Sequence, residues 1–283
     1  MSRDDLVQTP YGLVPRSEVV PISRDETVKV VEGRLKKCDL HTDRVLEDLG
    51  PVADEALSAD PYAYAARLRE DSAPAGRKFV DGQRSGGHAA QDESLTYIQS
   101  FRTTWTVPSK PRNPLSPNVF FLWNGLHRGA LQPVLDWSNN TEGKASYGIA
   151  NWAYIGNKYV HGDHLYVDPG TSLTGVIRFR SLISAGYMYT LGFVGFPDAD
   201  FTVVRSLTQG PANGVILCFE PYFDTSDESS LPPDTKVDFV QINLSMQSGH
   251  PTPPTINWDT SGGMKVVDNS SSHGEVDCYL HSQ

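Results

Sequence analysis

The chain has 283 residues, a formal net charge of -10, 39% hydrophobic residues and a mean hydropathy of -0.36. This acidic balance argues against nucleic acid or an anionic membrane as the main partner, because both reward a basic face. No run reaches the length a membrane-spanning helix needs. The 24 Gly, 20 Pro and 10% aromatics favour a loop-rich β protein over a helical bundle.

Residues 1–94 differ in character from the rest. Val19, Val20, Ile22, Val28, Val30 and Val31 suggest one or two short strands, punctuated by Pro15 and Pro21. Val45–Ala56 and Pro61–Glu70 are expected as short helices, with Pro61 at a first helical position and Tyr64, Ala65 and Leu68 at helical spacing. Ala73–Glu93 is small, polar and Gly-rich, as a linker or long mobile loop would be. The expected division is an N-terminal extension over 1–94, resembling a pro-segment packed on the main domain, and a β-sandwich over 95–283.

From Leu95 onward short apolar runs alternate with turn signals such as Asp168-Pro169-Gly170, the pattern of an all-β sandwich. Expected strands are Leu95–Val107, Val119–Leu126, Leu131–Trp137, Ser146–Ile155, His164–Val167 and Leu173–Arg180. They continue with Tyr187–Val194, Phe201–Leu207, Gly214–Phe219, Lys236–Leu244, Gly263–Val267 and Glu275–Leu280. Cys38, Cys218 and Cys278 are odd in number and irregularly spaced, so they signal neither a disulfide framework nor a zinc site. The start, MSRDDLVQTP, has no apolar leader core, while Asn139, Asn243 and Asn269 stand in glycosylation sequons. The expected location is the secretory pathway if a leader was removed, and the cytoplasm otherwise.

The segment Val119–Trp137 reads as a β-hairpin turning through His127, Arg128 and Gly129. A period of two puts Gln132, Val134 and Asp136 on one face of its second strand, and Leu131, Pro133, Leu135 and Trp137 on the other. Beside Trp123 and Asn124, this resembles the floor of a binding cleft; the plainer reading is a core hairpin whose amides satisfy the backbone. Trp152 and Tyr154 share a strand face by parity, as do Glu220 and Tyr222, and as do Arg178 and Arg180. The latter pair suits an anionic group, or a solvated sheet face. His161-Gly162-Asp163-His164 is a polar turn more often than a metal site.

Two distant segments carry a family resemblance. Leu122-Trp123-Asn124-Gly125-Leu126, Leu131-Gln132 and Asp136-Trp137 resemble the W-x-G-[IL] and L-Q-x-x-x-D-aromatic motifs of the glutamic peptidases, or eqolisins. Glu220, with Asp224 four residues on, falls where that family's catalytic Glu stands, and Thr104–Pro108 resembles its opening strand. The resemblance implies a concanavalin-like sandwich of two antiparallel sheets, with Gln132 and Glu220 facing each other on the concave side. The chain departs from the family at Pro221, where the peptidases carry Trp, at His127, which replaces an acid, and at Pro133. The fuller pattern W-N-G-L…L-Q-P-V-L-x-W, with Gly274–Tyr279 near the end, is similar to fungal and bacterial relatives of the eqolisin fold. Fungal hetero-Diels–Alderases of tropolonic sesquiterpenoid biosynthesis are of this kind.

The expected function is therefore a cofactor-independent cyclase of the hetero-Diels–Alder type acting on an apolar aromatic small molecule. The alternatives are a glutamic-type acid peptidase and a lectin-like binding module. Expected catalytic residues are Gln132, Glu220 and His127; expected substrate-binding residues are Trp123, Asn124, Asp136, Trp152, Tyr154, Tyr222 and Arg178. The expected partner is the small-molecule substrate, with no metal, nucleic acid or membrane; the oligomeric state is left open.

Overall fold

The computed structural model describes residues 5–53, 60–72, 88–114, 119–139, 145–222 and 228–281. Residues 73–87 of the expected Gly-rich linker lie outside the described residues.

Two sheets, antiparallel except for one marginal strand, pack face to face. The first contains β7 (His88–Asp92), β17 (Val215–Tyr222), β9 (Val119–Leu126), β10 (Leu131–Asn139), β11 (Ala145–Ile155) and β12 (Lys158–His161), side by side in that order. Short strands at its margins bring it to nine. The second has seven strands, with β8 (Ile98–Thr106) between β14 (Ser172–Ile183) and β18 (Lys236–Met246). The antiparallel β-sandwich read from the run spacing is the architecture observed.

Strand alternation accounts for the core. Phe120, Leu122 and Leu126 of β9 project inward with Leu131, Leu135 and Trp137 of β10, meeting Phe101, Trp105, Leu173 and Ile177 of the other sheet. A fully buried Leu or Phe stabilises the fold by roughly 1.5–3 kcal/mol relative to exposure, so this layer dominates the energetics. The intervening residues of β9, β10 and β17 necessarily face away from the core. There Phe121, Trp123, Val134, Ile216 and Cys218 form a second buried cluster.

That outer cluster is buried because the N-terminal part of the chain lies on it. A hairpin of β1 (Leu6–Thr9) and β2 (Gly12–Pro15) and the helix α1 (Pro61–Ser72) bring Tyr11, Val14, Tyr62 and Ala65 against Tyr154 and Tyr159. The layer is fastened by β3 (Val19–Pro21), which pairs in parallel with β12. A separate three-stranded sheet of β4 (Glu26–Val31), β5 (Arg34–Asp39) and β6 (Val45–Pro51) packs elsewhere, adding Val28 and Leu35 to the main core. His88–Asp92, also within the first 94 residues, is itself a strand of the nine-stranded sheet.

The helix expected over Val45–Ala56 is instead the strand Val45–Pro51. Its acids match the cations of β5, with Lys36 opposite Asp48 and Lys37 opposite Glu47, and Arg34 Nε donates to Asp48 at 2.8 Å. Cross-strand pairing of opposite charges, with Gly50 at φ 103° and Pro51 behind it, outweighs the helical spacing.

Candidate functional site

The site face is the outer side of β17, β9, β10 and β11. Alternation places Glu220, Trp123, Gln132 and Trp152 there together, and Gln132 is directly paired with Trp152. Glu220 and Gln132 are both 0% exposed. The two therefore share one face of one sheet, separated by β9. Glu220 is level with Phe121, and Phe121 with Asp136, so Gln132 lies four residues further along, roughly 13 Å at strand rise.

Trp123 fills the interval. Its indole Nε1 donates to Glu220 Oε2 at 3.0 Å, a buried carboxylate held by a ring that is itself wholly buried. The far edge of the ring lies against Gly129, where an added Cβ would sit 2.7 Å from Trp123 and 2.6 Å from Gln132 Nε2. Gly129 also has φ 81°, so both the left-handed turn and the close approach require glycine. Gln132 Nε2 donates to the Tyr62 hydroxyl at 3.2 Å.

The N-terminal layer closes this region. The Tyr222 hydroxyl donates to the Pro10 carbonyl at 3.0 Å, tying β17 to the tip of the β1–β2 hairpin. The Tyr11 ring packs at a tilt, its centroid 5.5 Å from that of Tyr62 and 5.0 Å from that of Tyr159. Burial, reinforced by the nearby Glu220 carboxylate, pushes the phenols of Tyr11 and Tyr62 well above their ordinary range. Both stay protonated and able to donate. Tyr154 packs on Tyr64 at 5.5 Å and Trp152 on His161 at 4.9 Å, extending the aromatic wall.

His127 stands at one end of the face, in the turn between β9 and β10. Its Nδ1 lies 2.5 Å from Asn213 Oδ1, and burial lowers its pKa to about 4, with Arg205 as a second cause. The neutral ring therefore donates through Nδ1 and carries its lone pair on Nε2. It borders a cavity of about 270 Å³ together with Asp60, Glu93, Arg128, Asn213 and Ile216. Arg205, 1% exposed, is held by the carbonyls of Gln209 at 3.3 Å and Gly210 at 3.4 Å, so it organises the loop that carries Asn213.

Three expected residues are placed elsewhere or otherwise engaged. Asn124 follows Trp123 and so faces the opposite way, into the sandwich core, where Nδ2 donates to the Gly175 carbonyl at 3.4 Å. Arg178 is exposed on the outer face of the seven-stranded sheet, across the whole sandwich from Gln132. Asp136 does lie on the site face, but Oδ2 is 2.9 Å from His164 Nε2 and Oδ1 accepts from Ser138. The Asp136 contact raises the pKa of His164. Among the described residues no group of three or more His, Cys, Asp or Glu side chains is placed to hold a metal ion.

Tyr11, Tyr62, Asn213 and Arg205 were missed by sequence reasoning. Their local signals are slight: a Thr9-Pro10-Tyr11-Gly12 turn, and Tyr62 just inside a helix that Asp60 caps through the Tyr62 amide at 2.8 Å.

No family model matches the chain, and no curated protein matches it. Among solved structures it is similar to scytalido-glutamic peptidase bound to a peptide-based transition state analog. The identity there is 13%, over 69% of this chain and 98% of the other, with a TM-score of 0.46. A second structure of that peptidase, with a transition state analog inhibitor, aligns at 12% identity over 70% and 100%, with a TM-score of 0.43. CG-16, a homodimeric agglutinin from chicken liver, aligns at 10% identity over 56% and 100%, with a TM-score of 0.30. These likenesses concern the sandwich and carry no argument about activity.

Proposed function

We propose that the protein is a cofactor-independent enzyme that encloses a small aromatic molecule between the site face and the N-terminal layer, and that its reaction is a hetero-Diels–Alder cyclisation. The observation that supports this reading is closure: Gln132, Glu220 and Trp123 are 0% exposed, with Tyr62 packed against the same cluster, so Glu220 does not stand on the floor of an open groove. Such walls suit a small apolar reactant better than an extended polypeptide, which needs an open groove for its backbone.

The chemistry asks little of the side chains beyond position. A cyclisation of diene with dienophile needs no nucleophile; holding both in a near-attack pose contributes up to about 7–11 kcal/mol. Hydrogen-bond donors aimed at the heterodiene oxygen stabilise the charge that develops there. Trp123, Trp152, Tyr62 and Tyr154 provide walls, and Gln132 with the buried phenols provides polar groups. In the alternative, an acid peptidase, ionised Glu220 activates water and Gln132 stabilises the oxyanion.

The test follows cycloadduct formation and its stereochemical ratio from an o-quinone-methide substrate, beside digestion of casein at acid pH. Trp123→Ala and Trp152→Ala should lower cycloadduct formation on the order of a hundredfold, at least as much as Glu220→Gln does. Vigorous casein digestion by the parent protein, lost in Glu220→Gln, would overturn the cyclase reading.

A further inference from the structure

Room for a ligand lies at one end of the site face, in the cavity of about 270 Å³ beside His127. Val215 and Ile216 of β17, Gln91 of β7, the β9–β10 turn, and Asp60 and Pro61 where α1 begins bound it. Ile216 belongs to the same outer cluster as Trp123, so the cavity continues the site face. Its volume is near the lower end for small-molecule pockets, roughly 300 Å³.

The turn at this cavity has a costly sequence. His127 at φ 54° and Arg128 at φ 52° precede Gly129 at φ 81°, so two successive side chains sit in left-handed backbone. Elsewhere among the described residues non-glycine residues in that region come singly, at Glu32, Asp43, Tyr97 and Gln241. Hairpin turns that need such backbone normally take Asn and Gly. Here both strained residues line the cavity, which is where strain is retained for function.

The polar groups of the wall satisfy one another, with one exception. Arg128 donates through Nε and Nη2 to both carboxylate oxygens of Glu93, each at 2.8 Å. Asp60 Oδ1 accepts from the amides of Tyr62 at 2.8 Å and Ala63 at 3.2 Å, and Oδ2 lies 3.9 Å from Arg128 Nη1. The His127 ring is held by Asn213 through Nδ1, and its amide donates to the Asn213 carbonyl at 2.8 Å. Nε2 is left as a fixed acceptor with no partner among the described residues. Arg205 and Arg128 both disfavour positive charge at this ring, which argues against a cationic ligand, and a lone pair repels an anion. A neutral donor remains.

We infer that this cavity is a ligand site and that His127 Nε2 accepts a hydrogen bond from a hydroxyl of the bound molecule, a neutral alcohol or phenol whose apolar side lies on Val215 and Ile216. That an aromatic ring bears the hydroxyl rests on the reading proposed above; the donor and its acceptor rest on the cavity.

The test titrates the full-length protein calorimetrically with ortho-hydroxybenzyl alcohol and with its dimethyl ether, which has no donor. The parent should bind the diol about threefold to tenfold more tightly than the ether, the effect of one hydrogen bond. His127→Phe should bind the two equally; a collapsed cavity would weaken both and keep the preference. Gln91→Trp, which fills the cavity without touching His127, should weaken both ligands at least about tenfold. Failure of the parent to bind or to prefer the diol overturns the inference, as does a preference retained in His127→Phe or undiminished binding in Gln91→Trp. If His127→Phe does not fold, the parent and Gln91→Trp decide by the same criteria. Diol-selective binding without any cycloadduct would overturn the cyclase reading alone, and cycloadduct formed equally well by Gln91→Trp would overturn this inference alone.

Discussion

The two outer faces of the sandwich differ in what they ask of their neighbours. On the seven-stranded sheet, hydroxyls pair across strands: Ser100 with Ser245 at 2.8 Å, Thr104 with Thr174 at 2.8 Å, Thr190 with Thr202 at 3.1 Å. Arg102, Arg178 and Arg180 extend into solvent beside them. On the nine-stranded sheet, the outer face carries Trp123, Glu220 and Gln132 and is covered by the β1–β2 hairpin and α1. The first face is largely open to solvent, whereas the second holds a fully buried carboxylate and, among the described residues, two fully buried polar atoms without partners. Natural proteins tolerate such groups chiefly where function needs them.

Substitutions on the two faces sharpen this contrast. Trp123→Ala should destabilise by about 3–5 kcal/mol in urea denaturation, because it leaves a large buried void and strips the donor from Glu220. Arg178→Ala, on the open face, should change stability by less than about 0.5 kcal/mol and leave activity intact. Equal losses in both variants would erase the distinction.

The next effect is a pH dependence. His127 has an ordinary pKa of 6.5 and a folded value of about 4, so the unfolded chain takes up the proton first as pH falls. Its contribution is fully present above about pH 6.5 and is lost between there and about pH 4, on the order of 3 kcal/mol. His164 has the opposite sign: its raised pKa favours the fold below the unfolded value and fades as pH rises through the folded one. Denaturation midpoints across this range should flatten on the acid side in His127→Gln; an unchanged slope there would remove His127 from the account.

Smaller effects probe the turn and the N-terminal layer. Gly129→Ala, at φ 81° and in collision with Gln132 and Trp123, should cost about 2 kcal/mol in thermal or urea unfolding. Tyr62→Phe should cost about 1–2 kcal/mol by orphaning the Gln132 amide, measured beside a Tyr11→Phe variant, which should cost nothing. A larger loss in Tyr11→Phe than in Tyr62→Phe would reverse the assignment of which hydroxyl holds the structure.

Much of the sandwich was legible because its signals are local. The period of two in Leu131–Trp137 puts Gln132, Val134 and Asp136 on one face, and the structure places Val134 in the outer cluster and Leu135 and Trp137 in the core. The same rule, applied to Trp123 and Asn124, separates them, and Asn124 belongs to the core. Val45–Pro51 was not legible, because its strand state depends on charges supplied by β5. Tyr11 and Tyr62 escaped notice for a similar reason. Their roles arise from contacts with residues more than sixty positions away, as in Tyr62 with Gln132 and Pro10 with Tyr222. No spacing within either segment announces such a contact.

The most direct test of the account is a crystal structure of the full chain soaked with ortho-hydroxybenzyl alcohol. The account predicts ligand density on the site face, with an aromatic ring against the walls formed by Trp152 and Tyr62. Density confined to the open outer face near Arg178, with nothing on the site face, would contradict it.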